Sequence, residues 1–209
     1  MYRSLIAAMV LSVAVPAGAA TAPAPISPKP VSTEELKNIK TIALLHIENF
    51  PSYRGVDLAA FAEQRLTERL NAKGYRVIVR TVAREQKYHL IENYRSLKMN
   101  DVEAFLDAIF IQVGHVKTNV AIPFSRERGP SVWMNFRLVS AQTGEILYAE
   151  TVQYGDQQNP MIDGATLPAP TDHKFESVDE VKANISKLFD YIKSGIDSIA
   201  SAVADRLAR

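Results

Sequence analysis

Residues 132–154 alternate apolar and polar side chains on both sides of the dipeptide Thr143-Gly144. Strict alternation is typical of a β-strand, because successive side chains point to opposite faces of the sheet. On the first arm Phe136 lies on an apolar face and Arg137 lies on the opposite one. Gly144 readily adopts the positive φ that a short hairpin loop requires. We therefore predict a β-hairpin with one buried face; a ligand-binding loop at Thr143-Gly144 is the alternative.

The rest of the chain up to the hairpin alternates between strand and helix patterns. A nearly continuous apolar run at residues 40–48 predicts a strand that is covered on both faces. Asn100 and Glu103 match a capping box, which predicts a short helix that ends near Asp107. The other predicted elements are a short helix at 33–38, an amphipathic helix at 56–73 that ends at Gly74, a strand at 75–82 and a long strand at 108–122.

The last 30 residues have the clearest helical pattern of the chain. Apolar side chains recur at spacings of three and four between residues 178 and 207. A helix of that length is about 45 Å long, which exceeds what a sheet of ordinary strands covers. We therefore expect Ile199, Val203 and Leu207 to extend beyond the sheet as a docking surface, either for a second copy or for another envelope protein. The alternative is a core helix with a frayed end.

The order of these elements indicates the fold class. Strand, helix, strand, helix, three strands and a helix predict an α/β protein with a single mixed sheet of about five strands, packing helices and a long C-terminal amphipathic helix. The chain has 209 residues, of which 47% are hydrophobic, and this is enough for one substantial core. We expect a signal peptide at 1–19, a Pro/Ala-rich tether at 20–33 and a single domain at 34–209.

The amino-terminal segment predicts the compartment. Arg3 precedes an apolar run of eleven residues, 5–15, and small residues follow it. A membrane-spanning helix needs about 20 apolar residues, so the run is typical of a cleaved leader rather than an anchor. The chain contains no cysteine, which excludes disulfides, thiolate metal sites and a lipid-modified leader cysteine. We expect an exported, soluble, non-lipidated protein in a Gram-negative periplasm, with no transmembrane segment after cleavage.

Charge excludes one class of partner and suggests another. The formal charge is +1, and loss of Arg3 with the leader leaves 1 − 1 = 0, so no overall excess attracts nucleic acid. Residues 63–98, however, contain nine Lys or Arg and four Glu. If Arg76, Arg80 and Arg84 share one surface, they would bind an anionic envelope polymer or lipid surface. The alternative is a solvated surface with salt bridges. The loop at 155–175 is long enough to be functional or disordered.

Catalytic chemistry has little support in the sequence. The nucleophile elbow, the glycine-rich nucleotide motifs and the zinc-protease motif are absent, so we predict no catalytic residues and no cofactor. His46 and Glu48 at the first strand, with His115 on the third, would suffice for a catalytic zinc if the carboxyl ends of those strands brought them together. A metal-dependent hydrolase is therefore one alternative function, and a soluble carrier of a small apolar ligand is another.

Three segments resemble a known family. "KTIALLHIENF", "DAIFIQVGHV" and "FRLVSAQTGEILYAE" are similar to marker segments of the curli secretion channel lipoproteins. They also resemble segments of the amino-terminal domain of the Tol-system propeller protein and of the lipoprotein activators of penicillin-binding proteins. The resemblance implies a mixed α/β fold and a non-catalytic accessory protein that binds or bridges cell-envelope partners. This chain departs from the lipoproteins because it lacks the leader cysteine.

Overall fold

The computed structural model of the chain describes residues 33–48, 57–81, 101–115, 130–155, 164–168 and 178–209. The predicted leader and nearly all of the tether, together with Arg84, Asn100 and residues 116–122, lie outside these ranges. The described residues form six strands and four helices: α1 (Thr33–Lys37), β1 (Thr41–Leu45), α2 (Leu58–Ala72), β2 (Arg76–Arg80), β3 (Ala104–His115), β4 (Pro130–Ser140), β5 (Ile146–Tyr154), β6 (Gly164–Leu167), α3 (Val178–Ala183) and α4 (Ile185–Leu207).

The strands form one mixed sheet in the order β2-β1-β3-β4-β5-β6. Strand β1 pairs in parallel with β2 and β3, the strands β3, β4 and β5 are antiparallel, and β6 pairs in parallel with β5. The predicted α/β class and single mixed sheet are confirmed. The sixth strand, β6, was missed because its four residues lie within the segment interpreted as a loop and are too few to show a periodic pattern.

The main core lies between one face of the sheet and the helices α2 and α4. Phe136 on β4, Leu106 on β3, Leu66 on α2 and Ile196 on α4 belong to the same buried cluster. We call this face of the sheet the inner face and the opposite one the outer face. The assignment of Phe136 to a buried face is confirmed, and Arg137, on the outer face, is exposed.

The hairpin and the first long helix have the predicted local signals. Gly144 has a φ of +72° between β4 and β5, and Gly74 has a φ of +93° after α2. The hydroxyl of Thr143 accepts a hydrogen bond from the backbone N–H of Glu145 at 3.2 Å. The positive φ of Gly144 and the hydrogen bond of Thr143 both stabilise the turn, which is what the hairpin prediction requires of Thr143-Gly144. Asp57 caps α2 by accepting from the N–H of Ala60 at 2.9 Å, which the sequence interpretation had not identified.

The predicted short helix ending near Asp107 is wrong. Strand β3 begins at Ala104, and Asp107 is a buried residue within it. The Glu103 carboxylate accepts from the backbone N–H groups of Lys40 (2.5 Å) and Thr41 (2.7 Å), which lowers its pKa. Pairing of this segment with β1 and β4 therefore overrides the local capping signal.

The long C-terminal helix is interrupted at Asn184. The Asn184 side chain accepts from the N–H of Lys187 at 3.0 Å and caps a new helix, α4. Ile185, which the pattern placed on the apolar stripe, is 60% exposed. Asn184 thus caps the start of α4, and α3 does not continue through this position as one helix.

The expectation that the end of the helix extends beyond the sheet is also wrong. Ile199, Val203 and Leu207 are 0%, 0% and 1% exposed. Strand β3 has 12 residues and is about 40 Å long, whereas the 23 residues of α4 span about 35 Å. The central strands are therefore about as long as the helix, and the end of α4 also packs beside α2 and Tyr75. These three side chains have no exposed surface with which to contact a partner.

Polar contacts fix α4 against its neighbours. Arg69 on α2 donates three hydrogen bonds to Asp197 on α4, the shortest of them 2.7 Å, and the Lys73 ammonium lies 2.6 Å from Asp205. The Tyr75 hydroxyl donates to the backbone oxygen of Leu207, and partial burial raises the pKa of Tyr75. The last turns of α4 are thus part of the domain.

Candidate functional site

The predicted metal ligands do not meet. Leu44 on β1 lies beside Leu106 on β3, so His46, just after β1, is level with the middle of β3. His115 is the last residue of β3, seven positions farther along, which places the two histidines roughly 20 Å apart. The expected approach fails because β3 continues far past the end of β1. Within the part of the chain that the structure describes, there is no group of three acidic, histidine or cysteine residues that could hold a metal.

His46 has a structural contact instead. Its Nδ1 lies 2.7 Å from Oε1 of Glu63 on α2, and the same oxygen accepts from the backbone N–H of Ile47 at 2.6 Å. The Glu63 side chain is 15% exposed and that of His46 is 51% exposed. This pair connects the carboxyl end of β1 to α2.

The positive charges of residues 63–81 are partly compensated. Arg76 and Arg80 lie on the edge strand β2, and Arg80 is 3.2 Å from Asp101. Arg84 lies outside the described residues. On α2, Arg69 and Lys73 pair with acidic residues of α4, which is the salt-bridge alternative for those two charges. Arg76 and Arg80 are at alternate positions of β2 and so lie on one face of it, and a surface that includes Arg84 stays a prediction.

The outer face carries a different group of polar side chains. It extends over β3, β4 and β5, and the strand register places its members beside one another. Gln112 lies opposite Trp133, which lies opposite Gln153, and Asn135 lies opposite Thr151. We call these five residues the amide row. Directly opposed side chains on neighbouring strands are in contact range, so the row is a continuous polar surface.

A β-bulge assembles this surface. The register of β3 and β4 shifts between Phe110 and Gln112, and the extra residue, Ile111, is 49% exposed. Before the shift Phe110 points to the inner core, and after it Val113 does so. Gln112 therefore points to the outer face, where an unbroken strand would have placed it in the core.

Two side chains of the amide row donate hydrogen bonds to neighbouring hydroxyl groups. Gln112 Nε2 donates to Ser131 Oγ at 2.6 Å, and Asn135 Nδ2 donates to Thr151 Oγ1 at 3.0 Å. These contacts orient both amides and use one N–H of each. The amide oxygens of Gln112 and Asn135 then remain as acceptors directed away from these contacts.

Two donors in the amide row are buried without an acceptor. Trp133 and Gln153 are 7% and 6% exposed, and among the residues that the structure describes Trp133 Nε1 and Gln153 Nε2 have no hydrogen-bond partner. Leaving a buried donor unsatisfied costs about 1–3 kcal/mol, and most buried polar groups in proteins are paired. Because the two residues are opposed across β4 and β5, their side chains are neighbours on the outer face.

Sequence reasoning placed Trp133 and Asn135 on the face opposite the core but assigned them no function. The available signal was the amide, hydroxyl and indole groups at alternate positions of both hairpin arms, Trp133 and Asn135 on one and Thr151 and Gln153 on the other. The contribution of Gln112 had no such signal, because it depends on the bulge.

Comparisons with known proteins give structural likenesses only. No family model matches the sequence, and no curated protein matches it. A chain of the PelC dodecamer of Paraburkholderia phytofirmans matches with 21% identity at a TM-score of 0.33. The match covers 53% of this chain and 66% of the PelC chain. The hypothetical protein CT253 of Chlamydia trachomatis matches with 10% identity over 79% and 98%, at 0.44.

A lipoprotein, GNA1162 of Neisseria meningitidis, matches with 13% identity over 74% of this chain and 99% of that one, at a TM-score of 0.39. All three TM-scores are below 0.5. Among the described residues, no helix combines the length and apolar character needed to cross a membrane.

Proposed function

We propose that this protein is a non-catalytic accessory protein of the bacterial cell envelope, exported to the periplasm, and that it binds a partner through the outer face of its sheet. The observation that carries the proposal is the pair of buried donors Trp133 Nε1 and Gln153 Nε2, neither of which has an acceptor within the described ranges of the chain. Native structures rarely leave two such groups side by side, and violations of this kind concentrate where a protein functions.

The chemistry of the amide row supports binding rather than catalysis. Amide, hydroxyl and indole groups neither gain nor lose a proton near neutral pH, so they recognise ligands but are poor general acids or bases. The alternative of a metal-dependent hydrolase would need His46, Glu48 and His115 at one ion, and the distance along β3 argues against it. The sequence segments that resemble the curli secretion channel lipoproteins support an envelope role.

The partner surface in this proposal differs from the one that the helical pattern suggested. The apolar stripe of α4 is buried against the inner face, so it has no area left for a second protein or a second copy. The outer face, in contrast, has partly exposed side chains at Asn135, Thr151 and Gln112 and an exposed one at Arg137. A partner can reach these four without unfolding the domain.

Site-specific photo-cross-linking in cells tests this proposal. A benzophenone side chain at Arg137 lies on the outer face, and one at Gln64, exposed on α2, lies on the helical side and serves as the control. We expect a cross-linked product from position 137 and none from position 64. A product only from position 64, or no product from either, would contradict the proposal.

A further inference from the structure

We infer that the ligand of the amide row is a neutral carbohydrate chain. This inference rests on the proposed function and adds the chemical class of the partner. Its starting point is the pair Trp133 Nε1 and Gln153 Nε2, which are buried and have no acceptor in the described structure. An indole N–H can only donate, so the ligand must place an acceptor oxygen between β4 and β5.

The same ligand must also donate hydrogen bonds. Gln112 and Asn135 use an amide N–H on Ser131 and Thr151, and the acceptors that they offer are therefore their carbonyl oxygens. Carboxylates and phosphates accept hydrogen bonds at neutral pH, and ammonium groups only donate them. A hydroxyl group does both, so a ligand rich in hydroxyl groups matches a surface of mixed donors and acceptors.

The charge around the amide row favours a neutral ligand. Asp107 on β3 lies directly opposite Arg137 on β4, beside the row, and the two formal charges cancel. All five members of the row are uncharged. The outer face of β3, β4 and β5 therefore has no excess charge with which to attract an anionic polymer. Arg76 and Arg80 lie on the same face but on the edge strand β2, separated from β3 by β1.

Position in the sheet distinguishes a carbohydrate from a peptide. Extended peptides are usually bound at an open sheet edge, where their backbone pairs with unpaired strand groups. At the amide row, β4 pairs with β3 and β5, and β5 pairs with β6. Strand β3 pairs with β1 only at Ala104–Leu106, so its later residues have one described partner strand. The members of the row on β4 and β5 lie away from that edge. The row crosses the strands, from Gln112 to Gln153, with a separation of about 4.8 Å between strands. It therefore presents side chains over about 10 Å, which suits successive hydroxyl-bearing rings lying across the face.

Calorimetric titration of the full mature chain with cellohexaose, maltohexaose and hexa-N-acetylchitohexaose tests the inference. We expect at least one of these neutral oligosaccharides to bind, and polygalacturonate, an anionic control, to bind more weakly. Trp133→Phe keeps an aromatic ring and removes the donor, and Gln153→Leu removes the second donor. Each should weaken binding by about five-fold or more, whereas Gln64→Leu, on the opposite side of the domain, should leave affinity unchanged.

The melting temperature separates binding from a structural role. Because Gln153 Nε2 has no partner among the described residues and leucine is close to glutamine in size, Gln153→Leu should not lower the melting temperature. If it does, or if it leaves affinity unchanged, the inference is wrong. If no neutral oligosaccharide binds but position 137 still cross-links a partner, such as a protein, the carbohydrate assignment fails while the proposed function stands. If neither occurs, both fail.

Discussion

Gly195 lies where α4 crosses the hairpin, and replacing it with alanine tests the packing of the inner face. A Cβ atom at this position would lie 2.7 Å from Cδ1 of Tyr154 and 3.1 Å from Cγ2 of Val132. Both neighbours are buried, and the Tyr154 ring packs edge-on against Tyr191 with ring centroids 5.2 Å apart. The Tyr154 ring therefore has little freedom to move away from an added methyl group.

Two effects of opposite sign decide the outcome of Gly195→Ala. Alanine is favoured over glycine in a helix interior by about 1 kcal/mol. Overpacking a well-packed core costs about 1–3 kcal/mol, and occasionally more. Since the new contact would be under 3.0 Å and its partner is a confined ring, we place the cost at the upper end of that range. The net expectation is a loss of about 1–2 kcal/mol in the free energy of unfolding.

Urea denaturation followed by circular dichroism measures this loss. Ser198→Ala is the matched control, because it changes helix propensity on the same helix at a partly exposed position. It should be neutral or stabilising by up to about 0.5 kcal/mol. If Gly195→Ala is as stable as the wild type or more stable, helix propensity outweighs the contact and the close approach of α4 to the hairpin is not as described.

Three further outcomes follow from the fold. Phe136→Ala should lose about 3–5 kcal/mol by emptying a buried site, and Arg137→Ala under about 1 kcal/mol; equal losses in chemical denaturation would contradict the assigned faces. Truncation after Gly195 removes buried side chains of α4 and should abolish the cooperative unfolding transition. A truncated protein that still folds would disprove this expectation. Because the pKa of Glu103 is lowered by folding, its ionised form stabilises the protein above pH 4.3, roughly the pKa of Glu in an unfolded chain. This stabilisation is lost as the pH falls through the pKa of Glu103 in the folded protein. Glu103→Gln should thus be less stable by under about 1 kcal/mol at pH 7, where solvent screens this exposed group, with the difference shrinking at pH 3 in denaturation curves.

Elements with a strong local period were predicted correctly. The hairpin follows from period-two alternation and a glycine turn, and both are properties of adjacent residues. The helix α2 follows from its apolar spacing and from Gly74 at its end, within two residues of the observed bounds. In these cases tertiary contacts agree with what the local sequence favours.

Elements that depend on distant partners were not predicted. The segment around Asp107 has a helix-start signal but is held as a strand between β1 and β4. The burial of Leu207 depends on residues far away in sequence, because the end of α4 packs beside the end of α2 and beside Tyr75. In both cases pairing between residues far apart in sequence outweighs a local preference of at most a few kcal/mol.

For the same reason, only part of the candidate site could be predicted from the sequence. The faces of Trp133, Asn135, Thr151 and Gln153 follow from alternation along the hairpin. Which of them lie opposite one another depends on the register, and Gln112 joins them only through the bulge in β3. The unpaired state of the donors is a property of the assembled sheet.

The outer face is not uniformly polar, and this contrast bears on the role of the amide row. Beside the row, Leu45, Phe105 and Val139 form a second buried apolar cluster on the same face. Stability alone would favour extending that cluster, because replacing buried unpaired donors with apolar groups of similar shape is neutral or stabilising. Trp133 and Gln153 instead retain two donors at a cost of about 1–3 kcal/mol each. A cost of this size is a large fraction of the usual 5–15 kcal/mol of folding stability. It has a physical reason if an acceptor arrives with a ligand, because the same desolvated donors then contribute to binding.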